Sequence, residues 1–165
     1  MRELMLERKA RGQYALGEIG MLRALPRFAA EIEADGVSWT LRRTAGGFGQ
    51  TIYARESVTG QRVSSYMPNG FLHLRGIYAG KLTRGERVLE WRANHQLGRQ
   101  FTLTEHGAVL ARFAAGSGSR PVSASVADLS RLEPLLLLFC CHIVKQAVDT
   151  AKVATVAGTE VAIGG

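Results

Sequence analysis

Residues 134–152 read PLLLLFCCHIVKQAVDTAK, and this stretch decides the fold. Residues 135–141 are apolar on every side of a helix, whereas a helix on a protein surface has a single apolar stripe. The apolar run ends at Lys145, so it is shorter than the roughly 20 residues that a membrane span requires. We therefore predict a helix over residues 134–152 that is surrounded by protein and places in the core Leu135, Leu136, Leu137, Leu138 and Phe139.

The start of this helix has two possible signals. Ser130 and Glu133 have the spacing of a capping box. Pro134 also suits a first helical position, because an N–H at that position has no partner within the helix. Either start predicts a helix that ends near Lys152.

The chain before Asp128 has the pattern of short strands separated by turns. Asp35-Gly36 is a hairpin signal, and in the following run Val37, Trp39 and Leu41 alternate with polar residues. Similar turn signals recur at the spacing typical of all-β folds. The pattern predicts about ten strands, connected as a meander, over residues 14–22, 27–34, 37–43, 50–56, 62–67, 71–82, 88–95, 100–105, 108–114 and 122–126.

Few architectures accommodate these strands together with one helix that is apolar on every side. A closed or nearly closed antiparallel β-barrel of about 10–12 strands can surround such a helix. A sandwich with the helix on one face is the alternative, and it leaves half of residues 135–138 exposed to solvent. We expect a mainly β protein with this barrel over residues 13–155, a basic tail or short helix over residues 1–12, and a C-terminal tail over residues 156–165.

This pattern resembles the tubby C-terminal-like superfamily, which includes the plant LURP-one-related proteins and the phospholipid scramblases. The residues that carry the resemblance are the late helix LEPLLLLFCCHIVKQAVDTAK (132–152), the hairpin EIEADGVSWTL (31–41) and the strand pair RQFTLTEHGAVLARF (99–113). In that superfamily a β-barrel encloses a strongly hydrophobic helix near the C-terminus. The resemblance spans roughly residues 14–152 and implies the enclosed-helix barrel, with lipid-related function as its associated expectation.

Positive charge is concentrated in the middle of the chain. The whole sequence has 21 Lys and Arg against 14 Asp and Glu, a net charge of +7, and residues 42–120 alone carry 12 cations against four glutamates. Such a segment favours an anionic lipid surface or an acidic partner, and nucleic acid less strongly. We predict an anion-binding patch formed by Arg42, Arg43, Lys81, Arg84 and Arg87.

Motifs of catalysis, cofactor binding and metal binding are missing from the sequence. Gly46-Gly47-x-Gly49 lacks the strand-to-helix context of a dinucleotide site and is typical of a hairpin turn. Metal-ligand spacing is absent among the histidines, which are His73, His95, His106 and His142, and we expect His142 to be a neutral imidazole bonded to a barrel carbonyl. Whether Glu31, Glu33 and Asp35 on one strand face bind a cation stays open.

The sequence therefore favours a non-catalytic binding or scaffolding module that uses no cofactor or metal. Its expected ligand is an anionic phospholipid headgroup, with a nucleic-acid-binding protein or an enzyme of unknown type as alternatives. Adjacent Cys140 and Cys141 are expected to be buried free thiols, which suits a reducing compartment. The N-terminal residues lack the apolar segment of a signal peptide. We expect a cytoplasmic protein, peripheral at the membrane surface.

Overall fold

The computed structural model describes residues 1–44, 50–69, 78–94, 99–116 and 121–164, with side chains described as far as residue 149. Its first strands are β1 Arg2–Ala10, β2 Gln13–Leu16, β3 Gly20–Ala24, β4 Ala30–Ala34, β5 Val37–Arg43 and β6 Ile52–Glu56. The others are β7 Arg62–Pro68, β8 Ala79–Arg84, β9 Arg87–Ala93, β10 Gln100–Glu105, β11 Ala108–Ala114 and β12 Val122–Val126. A 3-10 turn at Leu129–Arg131 leads to the helix α1, Pro134–Gly164.

The strands form one closed antiparallel barrel. Each strand pairs with its neighbours in sequence, and β1 closes the barrel by pairing with β12 from Arg2 opposite Val126 to Leu6 opposite Val122. This closure confirms the predicted barrel and meander and excludes the sandwich. The side chains alternate between interior and exterior, as in β4, where Ala30, Ile32 and Ala34 are buried and the two glutamates between them are exposed.

The barrel encloses the first part of α1. Residues 135–139 are at most 1% exposed, as predicted. They share one buried core with inward side chains of the strands, among them Trp91, whose ring centroid lies 4.9 Å from that of Phe101 and 5.4 Å from that of Phe113. Gly20 leaves room for the helix, because a Cβ there would lie 2.8 Å from Leu138 Cδ1 and 2.6 Å from the Glu33 carbonyl oxygen. Burying each large side chain contributes about 1.5–3 kcal/mol.

The expected tail at residues 1–12 is wrong, because residues 2–10 form strand β1. Leu4 and Leu6 are buried, while the charged side chains of this strand are exposed. Consecutive charged residues lie on both sides of this short buried pair, so the period-two pattern spans only three residues. β1 supplies the partner that β12 needs for closure.

Other boundaries also differ from the predictions. Residues 14–22 form the hairpin β2–β3 instead of one strand, and the strand predicted over 27–34 begins at Ala30. The helix starts at Pro134 and continues past Lys152 to Gly164. Ser130 belongs to the preceding 3-10 turn, where its N–H donates to the side chain of the turn's N-cap, Asp128. Several predicted features lie outside the described residues, namely the glycine cluster 46–49, the start of the strand predicted over 71–82, His73 and His95.

The direction of α1 distinguishes the two ends of the barrel. In a meander, connections alternate between ends, so the β3–β4 and β5–β6 connections share one end and the β8–β9 and β10–β11 turns share the other. The helix starts beside the second pair, where the Glu133 carboxylate lies 3.2 Å from Arg84 Nη2. Its ninth residue, His142, reaches Phe28 between β3 and β4. We call the end where α1 starts the entrance end, and the end that carries the β3–β4 and β5–β6 connections the exit end.

A salt-bridge network closes the entrance end. Arg87 Nε donates to Glu105 Oε1 at 2.8 Å, and Arg131 Nη2 donates to Glu105 Oε2 at 3.2 Å. Arg87 Nη2 also donates to the Arg131 carbonyl oxygen at 3.0 Å. The hydrogen bond from Arg87 is the main reason that the pKa of Glu105 lies below its ordinary value. The network fastens the segment that precedes α1 to β9 and β10.

Candidate anion-binding site

A basic cavity of about 310 Å³ opens at the exit end. The β3–β4 turn, the end of β5 and the segment just before β6 line this cavity. The lining residues are Pro26, Arg27, Ala29, Arg42, Arg43, Thr44 and Gln50. All charged residues among them are arginines, and the described part of the lining contains no carboxylate. Guanidinium groups bind phosphate and carboxylate oxygens through paired hydrogen bonds, so this exit cavity has the composition of an anion site.

The two β5 arginines occupy different positions in this cavity. Leu41 is buried, so the alternation of the strand directs Arg42 outward, where its side chain is exposed. Arg43 is half-buried, and its guanidinium carbon lies 5.6 Å from the centroid of the Phe28 ring. A cation at this distance from an aromatic face is held by the ring quadrupole. The contact ties the end of β5 to the β3–β4 turn.

The β3–β4 turn has an unusual backbone. Arg27 and Phe28 both have φ of 62°, in the left-handed region, although neither is glycine. Each such residue costs roughly 1–2 kcal/mol. The turn is closed by a hydrogen bond of 3.0 Å from the Leu25 N–H to the Ala29 carbonyl and one of 3.3 Å from the Ala29 N–H to the Pro26 carbonyl. This conformation places Arg27 at the cavity.

His142 connects α1 to the same turn. Its Nε2 lies 3.0 Å from the Phe28 carbonyl oxygen. Because a carbonyl oxygen only accepts, Nε2 carries the proton and donates it, which confirms the expected bond to the barrel backbone. The side chain is 0% exposed, and this burial lowers the pKa of His142 to about 4, with a smaller lowering effect from Lys145. His142 is therefore neutral near pH 7.

Gln50 contributes an acceptor to the exit cavity. Its Oε1 is buried and has no hydrogen-bond partner within the described structure. The neighbouring Thr44 hydroxyl accepts a hydrogen bond of 3.1 Å from the Thr51 N–H. A buried acceptor without a partner is unfavourable by about 1–3 kcal/mol. A ligand that brings a donor as well as negative charge can remove this penalty.

The structure does not bring the five residues of the predicted patch together. β6 and β7 lie between β5, which carries Arg42 and Arg43, and β8. Arg84 pairs with Glu133 and Arg87 with Glu105, so these two cations are engaged at the entrance end. Lys81 is exposed in the middle of β8, directly opposite Glu90 of β9.

A groove on the outside of the barrel extends from the exit cavity to Arg84. It has a volume of about 510 Å³, shares Thr44 with the exit cavity and reaches across β6 and β7 to Arg84. Arg62 in this groove lies 4.0 Å above the centroid of the Tyr53 ring. Arg62 therefore adds one positive side chain on the outside of the barrel, between the exit cavity and the Arg84–Glu133 pair.

The other candidates do not assemble into a site. Glu31 pairs with Arg23 at 3.5 Å, and Asp35 occupies the hairpin turn with φ of 51°, so the three acidic residues do not converge. Across the parts of the chain that the structure covers, no group of three or more His, Cys, Asp or Glu residues could hold a metal ion. His106 is exposed in the β10–β11 turn.

The expectation of buried free thiols is confirmed. Cys140 and Cys141 are both fully buried and unpaired in α1. Burial raises the pKa of Cys141 to about 12 and that of Cys140 well above its ordinary value. Both therefore stay protonated at neutral pH, which is the unreactive form of a thiol.

Sequence reasoning missed Arg27 and Gln50. The sequence pattern predicts Arg27 within a regular strand, and no glycine or asparagine marks its left-handed backbone. Gln50 reaches the cavity only because Thr44 and Thr51 meet across the β5–β6 connection. Pro26, directly before Arg27, is a local signal that a turn and not a strand occupies residues 25–29.

No protein-family model, curated protein or solved structure compared with this chain matches it. In the described residues, no helix is both long enough and apolar enough to cross a membrane.

Proposed function

We propose that this chain is a non-catalytic binding or scaffolding module of the tubby or LURP-one-like type, which binds anionic phospholipid headgroups through the exit cavity. The observation that carries the proposal is the lining of the cavity, where Arg27, Arg42 and Arg43 meet without a carboxylate among the described lining residues. A cytoplasmic protein with this cavity attaches to the membrane surface reversibly.

The energetics suit reversible attachment. Each cation near an anionic membrane surface contributes about 1 kcal/mol, so three cations give about 3 kcal/mol. This corresponds to roughly a hundredfold in affinity, since each 1.4 kcal/mol is about tenfold. The attraction is screened by salt, so binding should weaken as ionic strength rises.

The test is sedimentation with vesicles of phosphatidylcholine alone and of phosphatidylcholine mixed with an equal amount of phosphatidylserine. We expect wild-type protein to bind only the mixed vesicles at low salt. The triple variant Arg27→Gln, Arg42→Gln, Arg43→Gln should bind them about a hundredfold more weakly, because it lacks the three cavity cations.

The matched control is Arg2→Gln, Lys81→Gln, Arg112→Gln, which removes the same charge from exposed positions elsewhere on the barrel. It should lose far less affinity than the cavity variant. Equal losses in the two variants would show that total charge and not the cavity determines binding. Equal binding to both kinds of vesicle would reject recognition of anionic headgroups. Salt-sensitive binding of single-stranded DNA without binding to the mixed vesicles would support the nucleic-acid alternative.

A further inference from the structure

His142 is a buried polar residue in an otherwise apolar segment of the helix. Filling the core of the barrel does not by itself require a histidine at this position. All its neighbours in residues 135–144 are apolar or thiol side chains that fill the barrel. Its Nδ1 is buried without a hydrogen-bond partner in the described residues, so the side chain is only half satisfied. An apolar residue of similar size avoids that penalty. The other nitrogen makes a single bond, to the Phe28 carbonyl.

We propose that His142 is a positioning residue for the exit cavity, which fixes the β3–β4 turn through Phe28 and thereby sets where Arg27 and Arg43 meet the anion. This proposal rests on the proposed function of the cavity. His142 itself does not line the cavity among the described residues, so it acts through the turn and not by contact with a headgroup.

Two contacts and an unusual backbone conformation link His142 to the arginines of the exit cavity. The carbonyl of Phe28 accepts the hydrogen bond from His142, and the ring of the same residue lies under the Arg43 guanidinium. Phe28 and its neighbour Arg27 both have the left-handed backbone that non-glycine residues avoid. Without the bond from the helix, the turn is free to relax toward ordinary backbone angles, and both arginines then leave their positions.

The helix is itself fixed at this level of the barrel. Lys145, one turn after His142, donates from Nζ to the Tyr14 hydroxyl at 3.1 Å and lies 4.3 Å from the centroid of the Tyr14 ring. Tyr14 belongs to β2, the strand that pairs with β3 just before the turn. A rigid helix therefore holds the donor of His142 at a defined distance from the barrel rim.

The experiment compares His142→Met with His142→Gln. Met fills the space without a donor, whereas Gln can present an amide N–H close to the position of Nε2. We expect His142→Met to speed backbone amide exchange in residues 25–29 of the free protein and to weaken binding to phosphatidylserine-containing vesicles about three- to tenfold, the effect of one lost hydrogen bond. His142→Gln should restore both.

A purely structural role predicts a different result. In that case His142→Met lowers the free energy of unfolding and speeds amide exchange throughout the barrel, not selectively at residues 25–29, and the folded variant keeps the wild-type affinity for vesicles. Unchanged exchange in His142→Met would overturn the proposal, as would faster exchange with unchanged affinity. The exchange measurement needs no ligand, so it tests the link between helix and turn even if wild-type protein fails to bind vesicles, a result that would reject the proposed function instead.

A second variant covers the case in which His142→Met does not fold. Phe28→Leu keeps an apolar side chain and the backbone carbonyl but removes the ring under Arg43. It should weaken vesicle binding while leaving amide exchange at residues 25–29 slow, because the bond to His142 persists. Full affinity in Phe28→Leu would contradict the role of this turn in placing Arg43.

Discussion

Replacing Leu137 with Asp should abolish the folded barrel. Leu137 is 0% exposed inside a closed sheet, so its side chain has no path to solvent. Truncation of such a leucine to Ala costs about 2–5 kcal/mol, and a buried unpaired carboxylate costs several kcal/mol more. The total approaches the whole stability of a typical domain, about 5–15 kcal/mol. Urea unfolding followed by circular dichroism should show no cooperative transition for Leu137→Asp.

The control for this experiment is Val58→Asp. Val58 is 91% exposed in the β6–β7 turn, so the same kind of change should alter the free energy of unfolding by less than about 0.5 kcal/mol. Leu137→Ala provides the graded measurement, with an expected loss of about 2–5 kcal/mol. A Leu137→Asp protein with the wild-type unfolding transition would contradict the enclosure of α1.

Acid should destabilise the protein through His142. The pKa of His142 is about 4 in the folded protein, against an ordinary value of 6.5. The unfolded chain therefore takes up a proton between pH 6.5 and pH 4 that the folded protein does not, and stability is complete above this window and decreases on acidification through it. We expect the free energy of unfolding to be about 2 kcal/mol lower at pH 5 than at pH 7.

The comparison with His142→Gln isolates this effect. Glutamine does not titrate, so the variant should lose most of the difference between pH 7 and pH 5. The lowered pKa of Glu105 makes stability fall in the same direction, but only below its ordinary value of 4.5, outside this interval. An equally large difference in His142→Gln would assign the acid sensitivity to other groups.

The enclosed helix could be predicted because its physics is local to the sequence. A run such as residues 135–139 needs apolar partners on all sides, and among short strands only a closed sheet provides them. Strand β1 is not evident in the sequence, since only Leu4 and Leu6 are buried and the charged residues on both sides of them indicate a tail. The ten predicted strands lack β1 and merge β2 with β3, whereas the predicted closed antiparallel barrel of about 10–12 strands is confirmed by the 12 strands of the structure.

The candidate site depends on features that sequence periodicity does not contain. Arg42 and Arg43 were predicted to bind anions, and they do line the exit cavity. Their partner there is Arg27, which is positioned by two left-handed residues and by a hydrogen bond from a helix that begins 107 positions later. Arg84 and Arg87 have the same chemistry, but each forms a salt bridge with a carboxylate that is distant in the sequence. Charge alone identified the residue types, and only the fold decided which cations are available.

The most direct test of the exit cavity is a hydrogen-exchange footprint of the wild-type protein with and without phosphatidylserine-containing vesicles at low salt. We expect protection to be confined to the exit end, in residues 25–29 and 42–44, and to disappear in high salt or with phosphatidylcholine alone. Protection centred on the entrance-end turns at residues 85–86 and 106–107, with none at residues 25–29, would contradict the assignment of the headgroup site to the exit cavity.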